Sequence, residues 1–371
     1  MIKGKLNIVL DGQFGSTGKG KLSWYLALKH DVRVAVCDFQ TNAGHTIYNG
    51  DEKFVFQQLP VSALKKDVVC LINPGATITV KKLLEEIEMV GCHNRLIIHP
   101  HACVVTEKCQ AMEAEMLKRI ASTLKGVGAA LGMKAMRHPD TVLAKDVPEL
   151  SRYIGNTTDL LITALAQDKC VIGEAAQGFD LSLNHGYTYP FVTSRDVLTA
   201  SFLSNAGVPP RLLGHVYGCL RTYPIRVGNH VEDGVTVGSS GPYYADQRET
   251  NWEEVAMLSG SKENLEERTT VTKKVRRVFT FSKEQVSKFI KCCYPDFVFL
   301  NFVNHIDASC LGVTDSKALP RAVMEFVADL NSHMAEVAQR YFGQGEWVDS
   351  PQVKFLGTGP KNEDMVELDL S

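Results

Sequence analysis

The sequence predicts an α/β protein, one large domain around a mostly parallel central sheet with peripheral helical and loop excursions. Three observations predict it. An apolar run, Lys5 to Leu10, feeds a glycine-rich loop, Gly12 to Lys21, and that loop opens a helical stretch, KLSWYLALKH. Two later stretches repeat the strand-then-loop order: CVIGEAAQG (Cys170 to Gly178) and DFVFLNFVNHID (Asp296 to Asp307). Helical patterns alternate with these runs, which is the arrangement that parallel strands require.

Taken in order, VRVAVCDF (Val32 to Phe39) is a second strand, β-branched and apolar. VVCLINPGATI (Val68 to Ile78) gives a third strand and a Pro-Gly turn. VKKLLEEIEMVG (Val80 to Gly91) has helical periodicity and stops on a glycine, a common C-terminal signal. NRLIIHPHACVV (Asn94 to Val105) reads as a further strand, and PRAVMEFVADLNSHMAEVAQRYF (Pro320 to Phe342) as a long amphipathic helix. No repeat or proline-rich linker divides the chain, so residues 1–371 are read as one domain. The loop-rich stretch 228–283 is the candidate for a peripheral subdomain.

Bulk properties narrow the function. Of 371 residues, 44% are apolar and 22% charged, and the net charge is -2. Nothing in that balance suits a nucleic-acid scaffold or an anionic membrane surface. The local basic cluster TKKVRR (Thr272 to Arg277) fits a small anion. The ten cysteines form no CxxC pair, so reduced, buried thiols are expected. The N-terminus is too short and too charged for a signal peptide, and no apolar run reaches the ~18 residues of a membrane span. The expectation is a soluble, cytoplasmic protein.

The loop Gly12-Gln13-Phe14-Gly15-Ser16-Thr17-Gly18-Lys19-Gly20-Lys21 is nearly a phosphate-binding loop. The pattern GxxxxGK[ST] fails twice, at Gln13 and at Gly20. Its physical parts remain: small residues that let N–H groups approach an anion, a helix N-terminus, and the point charge of Lys19. Alone, the loop also fits the less favoured reading of a flexible glycine turn between strand and helix.

More of the chain agrees with one family. The loop resembles the GQWGDEGKGK of the adenylosuccinate synthetases. TNAGHT (Thr41 to Thr46) is similar to their second signature, and QLPVS (Gln58 to Ser62) to LLPSG. TLKGVG (Thr123 to Gly128) with Arg137 resembles TGRGIG and its distal arginine. EAAQG (Glu174 to Gly178), HGYTYPFVTS, RTYPIRVGN and TTVTKKVRR resemble EGAQG, HGTYPFVTS, YTTRVGxG and TTTGRPRR. NHID (Asn304 to Asp307) stands in the place of TKLD, and GTGP (Gly357 to Pro360) in that of SxGP. The segments keep their order from residue 12 to residue 360.

The resemblance implies a ligase on a P-loop-related fold. Such enzymes phosphorylate the 6-oxo group of a purine nucleotide, and the amine of L-aspartate then displaces the phosphate. Magnesium assists the phosphoryl transfer. By resemblance, Ser16, Lys19, His45 and Gln177 take the catalytic positions. The donor nucleotide falls to Gly15, Ser16, Thr17, Gly18, Lys19, Gly20, Gly44, His45, Thr46, His305, Asp307, Gly357 and Gly359. The acceptor falls to Ser16, Asn42, Ala43, Thr123, Arg137, Gln177 and Thr193. Aspartate falls to Thr270, Val271, Thr272, Lys274 and Arg276. Ser16 and Gly44 are the magnesium contacts. Arg137 maps onto an arginine that reaches the acceptor's 5′-phosphate from a neighbouring subunit, which implies a homodimer.

Three departures from the family pattern carry information. The loop aspartate is Ser16, and a serine hydroxyl is not a general base near neutral pH without a partner. Serine is smaller and leaves room beside C2 of the ring for a 2-amino group, which points to dGMP as acceptor. The same serine is found in a viral branch of the family, which uses dGMP in place of IMP on the route to diaminopurine DNA. Next, the lysine of TKLD is His305 while Asp307 remains, which loosens the guanine reading of the donor and favours ATP or dATP over GTP. Last, Lys361 follows GTGP where the family often has aspartate. The runner-up is an ordinary adenylosuccinate synthetase using IMP and GTP. A catalytically inert nucleotide-binding protein and a P-loop kinase or GTPase are the readings of other classes.

Overall fold

A nine-stranded sheet runs through the molecule. The computed structural model describes residues 1–371 apart from 118–119, 234, 270–273, 344–348 and 370–371. In chain order the sheet strands are β1 (Leu6–Asp11), β2 (Val32–Cys37), β3 (Val69–Ile72), β4 (Leu96–Ile98), β5 (Cys170–Glu174), β6 (Leu213–Arg221), β7 (Phe297–Asn301), β8 (Gln352–Gly357) and β9 (Met365–Glu367). Their spatial order is β9-β8-β7-β6-β1-β5-β2-β3-β4. Every pairing is parallel except β8 with β9.

The strands beside the centre, such as β1, β3 and β7, are largely apolar runs because helices cover both faces. All six residues of β1 are buried. Val9 faces one core with Leu22, Trp24 and Leu26 of α1 (Lys19–Lys29) and with Leu83 and Ile87 of α2 (Val80–Val90). Leu6, Ile8 and Leu10 face the other, against Phe289 and Ile290 of Lys283–Cys293 and Val327 and Leu330 of Arg321–Phe342. This is the period-2 alternation of a strand between two layers.

Two expectations need correction. Asn94 to Val105 is not one strand. Leu96–Ile98 joins the main sheet, while Cys103–Val104 pairs with Thr77–Ile78 in a separate ladder. Pro100, which has no N–H to give a ladder, stands between them. The sequence reading also passed over β6, the neighbour of β1. Gly214, His215 and Gly218 break its apolar pattern. Within 228–283 and its flanks, Ile225–Arg226, Arg277–Phe279 and Glu249–Thr250 form a small antiparallel sheet. Its own apolar cluster joins Ile225, Val278, Trp252 and Val255.

The register places the carboxyl ends of the central strands in one row. Asp11 lies beside Cys219, Glu174 beside Cys37, and Arg221 beside Asn301. Open parallel sheets bind ligands outside this edge.

Candidate active site

The glycine loop leaves β1 at this edge and turns back into α1. Asp11, the last residue of β1, is fully buried beneath it. Its Oδ1 accepts the N–H of Gln13 at 2.9 Å and of Gly15 at 3.3 Å. Its Oδ2 accepts the Thr17 hydroxyl at 2.6 Å, the Thr17 N–H at 3.4 Å and Lys19 Nζ at 3.1 Å. Gly18, at φ 94°, caps α1, and a Cβ there would lie 2.1 Å from Asn301 Nδ2. Ser16 stands exposed at the loop tip at φ 57°, and its carbonyl accepts Arg221 Nη1 at 3.1 Å. Gln177 (φ 65°) and Phe302 (φ 61°) border the same edge. Left-handed residues other than glycine collect at functional sites, where packing holds them.

Lys19 joins two groups of candidates. Its Nζ also donates to the Gln177 carbonyl at 2.8 Å, and the Gln177 amide donates to Asn42 Oδ1 at 2.7 Å. The glycine loop, Gln177 and Asn42 thus form one chain of bonds. His45 packs face to face on Phe39, with ring centroids 4.1 Å apart, and its Nε2 has no partner. Burial, with Lys19 second, holds its pKa down at about 3, so the ring is neutral. Ala43 is buried beside it, while Gly44 and Thr46 are exposed. The Thr193 hydroxyl donates to Gln40 Oε1 at 3.3 Å.

Thr41 donates to the Lys125 carbonyl at 3.4 Å, which brings the Thr123–Gly128 segment to the acceptor side. Thr123 is exposed there. Glu113 holds this turn as Asp11 holds the first, accepting Gly126 N–H at 2.7 Å and Gly128 N–H at 2.6 Å. Arg137 stands exposed at φ 55° after the helix Val127–Ala135, and none of the bonds that join the other candidates reaches it.

On the donor side, Asn301 donates to the Thr17 carbonyl at 3.2 Å, and Gly357 packs against Asn301. Lys21 ties α1 to the late loop, donating to the Gly359 and Asp364 carbonyls at 2.7 Å each. Burial lowers its pKa to about 8. Lys361 has a structural role that the sequence did not suggest. Its ammonium pairs with Asp51 at 2.6 Å, between the late loop and the turn of the hairpin His45–Asn49/Glu52–Phe56. Asp307 Oδ1 is taken by Ser309 N–H at 3.0 Å and the Ser309 hydroxyl at 2.7 Å. His305 is buried near Phe302 and Trp252, with Nδ1 unpartnered. Burial, helped by Arg221, lowers its pKa to about 4.

Thr270, Val271 and Thr272 lie outside the described residues. The two arms beside them pair: Thr269 N–H donates to Lys274 O at 2.9 Å and Arg276 N–H to Glu267 O at 2.9 Å. Lys274 and Arg276 border a cleft of about 500 Å³ shared with Asn229, Thr250, Asn251 and Trp252. Glu267 in turn forms an ion pair with Arg221, a guanidinium fully buried over the Phe302 ring at 4.1 Å.

Sequence reasoning missed Asp11, Glu113, Arg221, Glu267 and Asn301. A charged or amide residue closing an apolar strand, as in NIVLD or FVFLN, is the signal that could have found two of them. Among the described residues no group of three or more His, Cys, Asp or Glu side chains could hold a metal. Any magnesium here would take its oxygens chiefly from phosphate and water. The exposed Ser16 and Gly44 fit that limited role.

Known proteins share the sequence and the fold of this chain. The family model described as adenylosuccinate synthetase matches residues 8–147 and 140–282. An N6-succino-2-amino-2′-deoxyadenylate synthase of Vibrio phage phiVC8 is 35% identical over 373 residues, covering 97% of each chain. The solved succinoaminodeoxyadenylate synthetase of cyanophage S-2L, bound to dGMP and to dATP as energy donor, superposes with a TM-score of 0.80 at 31% identity. That match covers 100% of this chain and 97% of the other. The adenylosuccinate synthetase of Plasmodium falciparum shares the fold, with a TM-score of 0.81 at 18% identity over 98% of this chain and 100% of the other. With the family model spanning most of the chain and a near-full-length relative at 35% identity, this protein belongs to the adenylosuccinate synthetase family.

Proposed function

We propose that the protein joins L-aspartate to C6 of dGMP at the expense of ATP or dATP, giving N6-succino-2-amino-2′-deoxyadenylate. The observation that carries this is the loop tip. Ser16 is exposed where the family pattern has an acid, and the loop's one carboxylate, Asp11, is buried beneath. A hydroxyl at the tip leaves space for the 2-amino group of a guanine and does not crowd it with charge. The phage relatives, one of them solved with dGMP and dATP, support the same acceptor and donor.

In this reading the 6-oxygen attacks the γ-phosphorus, the bond from that phosphorus to the β–γ bridging oxygen breaks, the nucleoside diphosphate leaves, and the N1 proton passes to water. The aspartate amine then adds to C6, and phosphate departs with the C6–O bond. Lys19 and the loop N–H groups hold the transferring phosphoryl group. His45, neutral and with Nε2 unpartnered, donates to it rather than acting as a cation. Gln177 supports the 6-oxygen, and Asn42, Thr123 and Thr193 hold the acceptor's phosphate. Lys274 and Arg276 receive the dicarboxylate, and arginine grips a carboxylate in bidentate fashion. Ser16 and Gly44 would be the residues to hold magnesium, which would supply charge neutralisation for the phosphoryl transfer. Arg137 reaches the acceptor's phosphate in a second copy of the chain.

The test is a matrix of IMP, GMP and dGMP against ATP, dATP and GTP, with aspartate and magnesium, scored by succinylated product. The reading expects dGMP with an adenine donor to lead. Product from IMP and GTP alone would return the chain to an ordinary adenylosuccinate synthetase. Aspartate-independent hydrolysis of triphosphate would remove it from the ligases.

A further inference from the structure

We propose that Asp11 is the positioning residue of the phosphate loop, an internal anion around which the triphosphate cradle is built. Five donor groups converge on this one carboxylate, three of them the backbone N–H groups of alternate residues, Gln13, Gly15 and Thr17. These bonds fix the fold of the loop from beneath and set where α1 begins. The N–H groups of Lys19 and Gly20, in the first turn of α1, have no intrahelical acceptor and remain for an anion above the loop. The inner anion shapes a cradle for an outer one.

Asp11 also fixes Lys19. The ammonium is held between Asp11 Oδ2 at 3.1 Å and the Gln177 carbonyl at 2.8 Å, and is itself buried. It is therefore positioned before any phosphate arrives. A cation and a hydrogen-bonded turn that need no rearrangement act at full strength on developing charge. The carboxylate contributes this from beneath the loop, out of reach of the acceptor base.

The identity of the two nucleotides rests on the ligase reading; the role of Asp11 toward a triphosphate does not. The test uses Asp11→Asn, which keeps size but offers an NH2 where Lys19 and Thr17 need an acceptor. Calorimetry would measure binding of a non-hydrolysable ATP analogue and, separately, of dGMP. The expected result is at least about a tenfold loss for the analogue, with dGMP affinity within about twofold of the parent. Thr17→Val is the second variant, because the buried Thr17 hydroxyl donates to the same carboxylate; it should weaken the analogue about threefold. A folded Asp11→Asn that binds the analogue as the parent does would overturn the proposal. So would equal losses for both ligands, the mark of general damage. If Asp11→Asn does not fold, unchanged analogue binding by Thr17→Val would overturn it. A parent inactive toward dGMP would defeat the dGMP reading and leave the analogue comparison intact.

Discussion

His305 and His45 are both buried and both resist protonation, to about 4 and about 3. Unfolded, each would titrate near 6.5. Between those values the unfolded chain binds protons that the folded chain refuses. Their stabilising contribution is thus complete above pH 6.5 and is lost as pH falls toward 4. Glu174 acts in the opposite sense: burial raises it to about 7, so its contribution is present below its ordinary value and is lost as pH rises through 7. A difference between parent and variant isolates one group. His305→Gln should flatten the fall in stability between pH 6.5 and 4.5 by about 1 kcal/mol per pH unit, read by urea denaturation. Parallel curves for parent and variant would show that His305 titrates normally in the fold.

At the scale of elements, the loops at the carboxyl edge are tied to one another by a few buried polar groups. Arg221, ending β6, joins the Ser16 carbonyl to Glu267 at the base of the candidate aspartate loop. Removing one partner of such a pair leaves a buried charge without its counter-ion. Glu267→Gln should cost about 2 kcal/mol of stability, because Glu267 is only partly buried. A loss below about 0.5 kcal/mol would mean that the pair contributes no more than a surface one.

These ties mark the limit of what the sequence made legible. β1, the glycine loop and α1 could be read because apolar runs, glycines and helical period follow one another without interruption. β6 could not, since its glycines and histidine break the pattern that its buried neighbours enforce. The motif residues Lys19, Gln177, Asn42 and His45 were legible as types in known settings. Their supports, Asp11, Glu113 and Glu267, were not. Each acts by holding the backbone N–H groups of a turn or a side chain of another element, and such pairing leaves no periodic trace in a sequence.

For the whole molecule, Arg137 poses the question of assembly. It is exposed, away from the chain of bonds through Lys19 and Gln177, yet it matches an arginine that acts across an interface. Sedimentation should show a dimer in the presence of dGMP. Arg137→Ala should raise the KM for dGMP about tenfold. Mixing Arg137→Ala chains with His45→Ala chains should restore activity, since each hybrid dimer rebuilds one intact site. At low dGMP, a mixture no more active than the two variants apart would show that Arg137 does not act across an interface.

At that scale the protein is a mostly parallel sheet whose edge carries loops held from beneath by carboxylates, with an exposed hydroxyl at the loop tip. The proposed function makes the side chain at residue 16 the one that decides the acceptor. The most direct measurement is kcat/KM for dGMP and for IMP, in the parent and in Ser16→Asp, with ATP, aspartate and magnesium fixed. The account predicts that the parent favours dGMP and that the acid lowers the dGMP value at least about a hundredfold while sparing IMP. An aspartate variant that keeps the parent's preference for dGMP would contradict it.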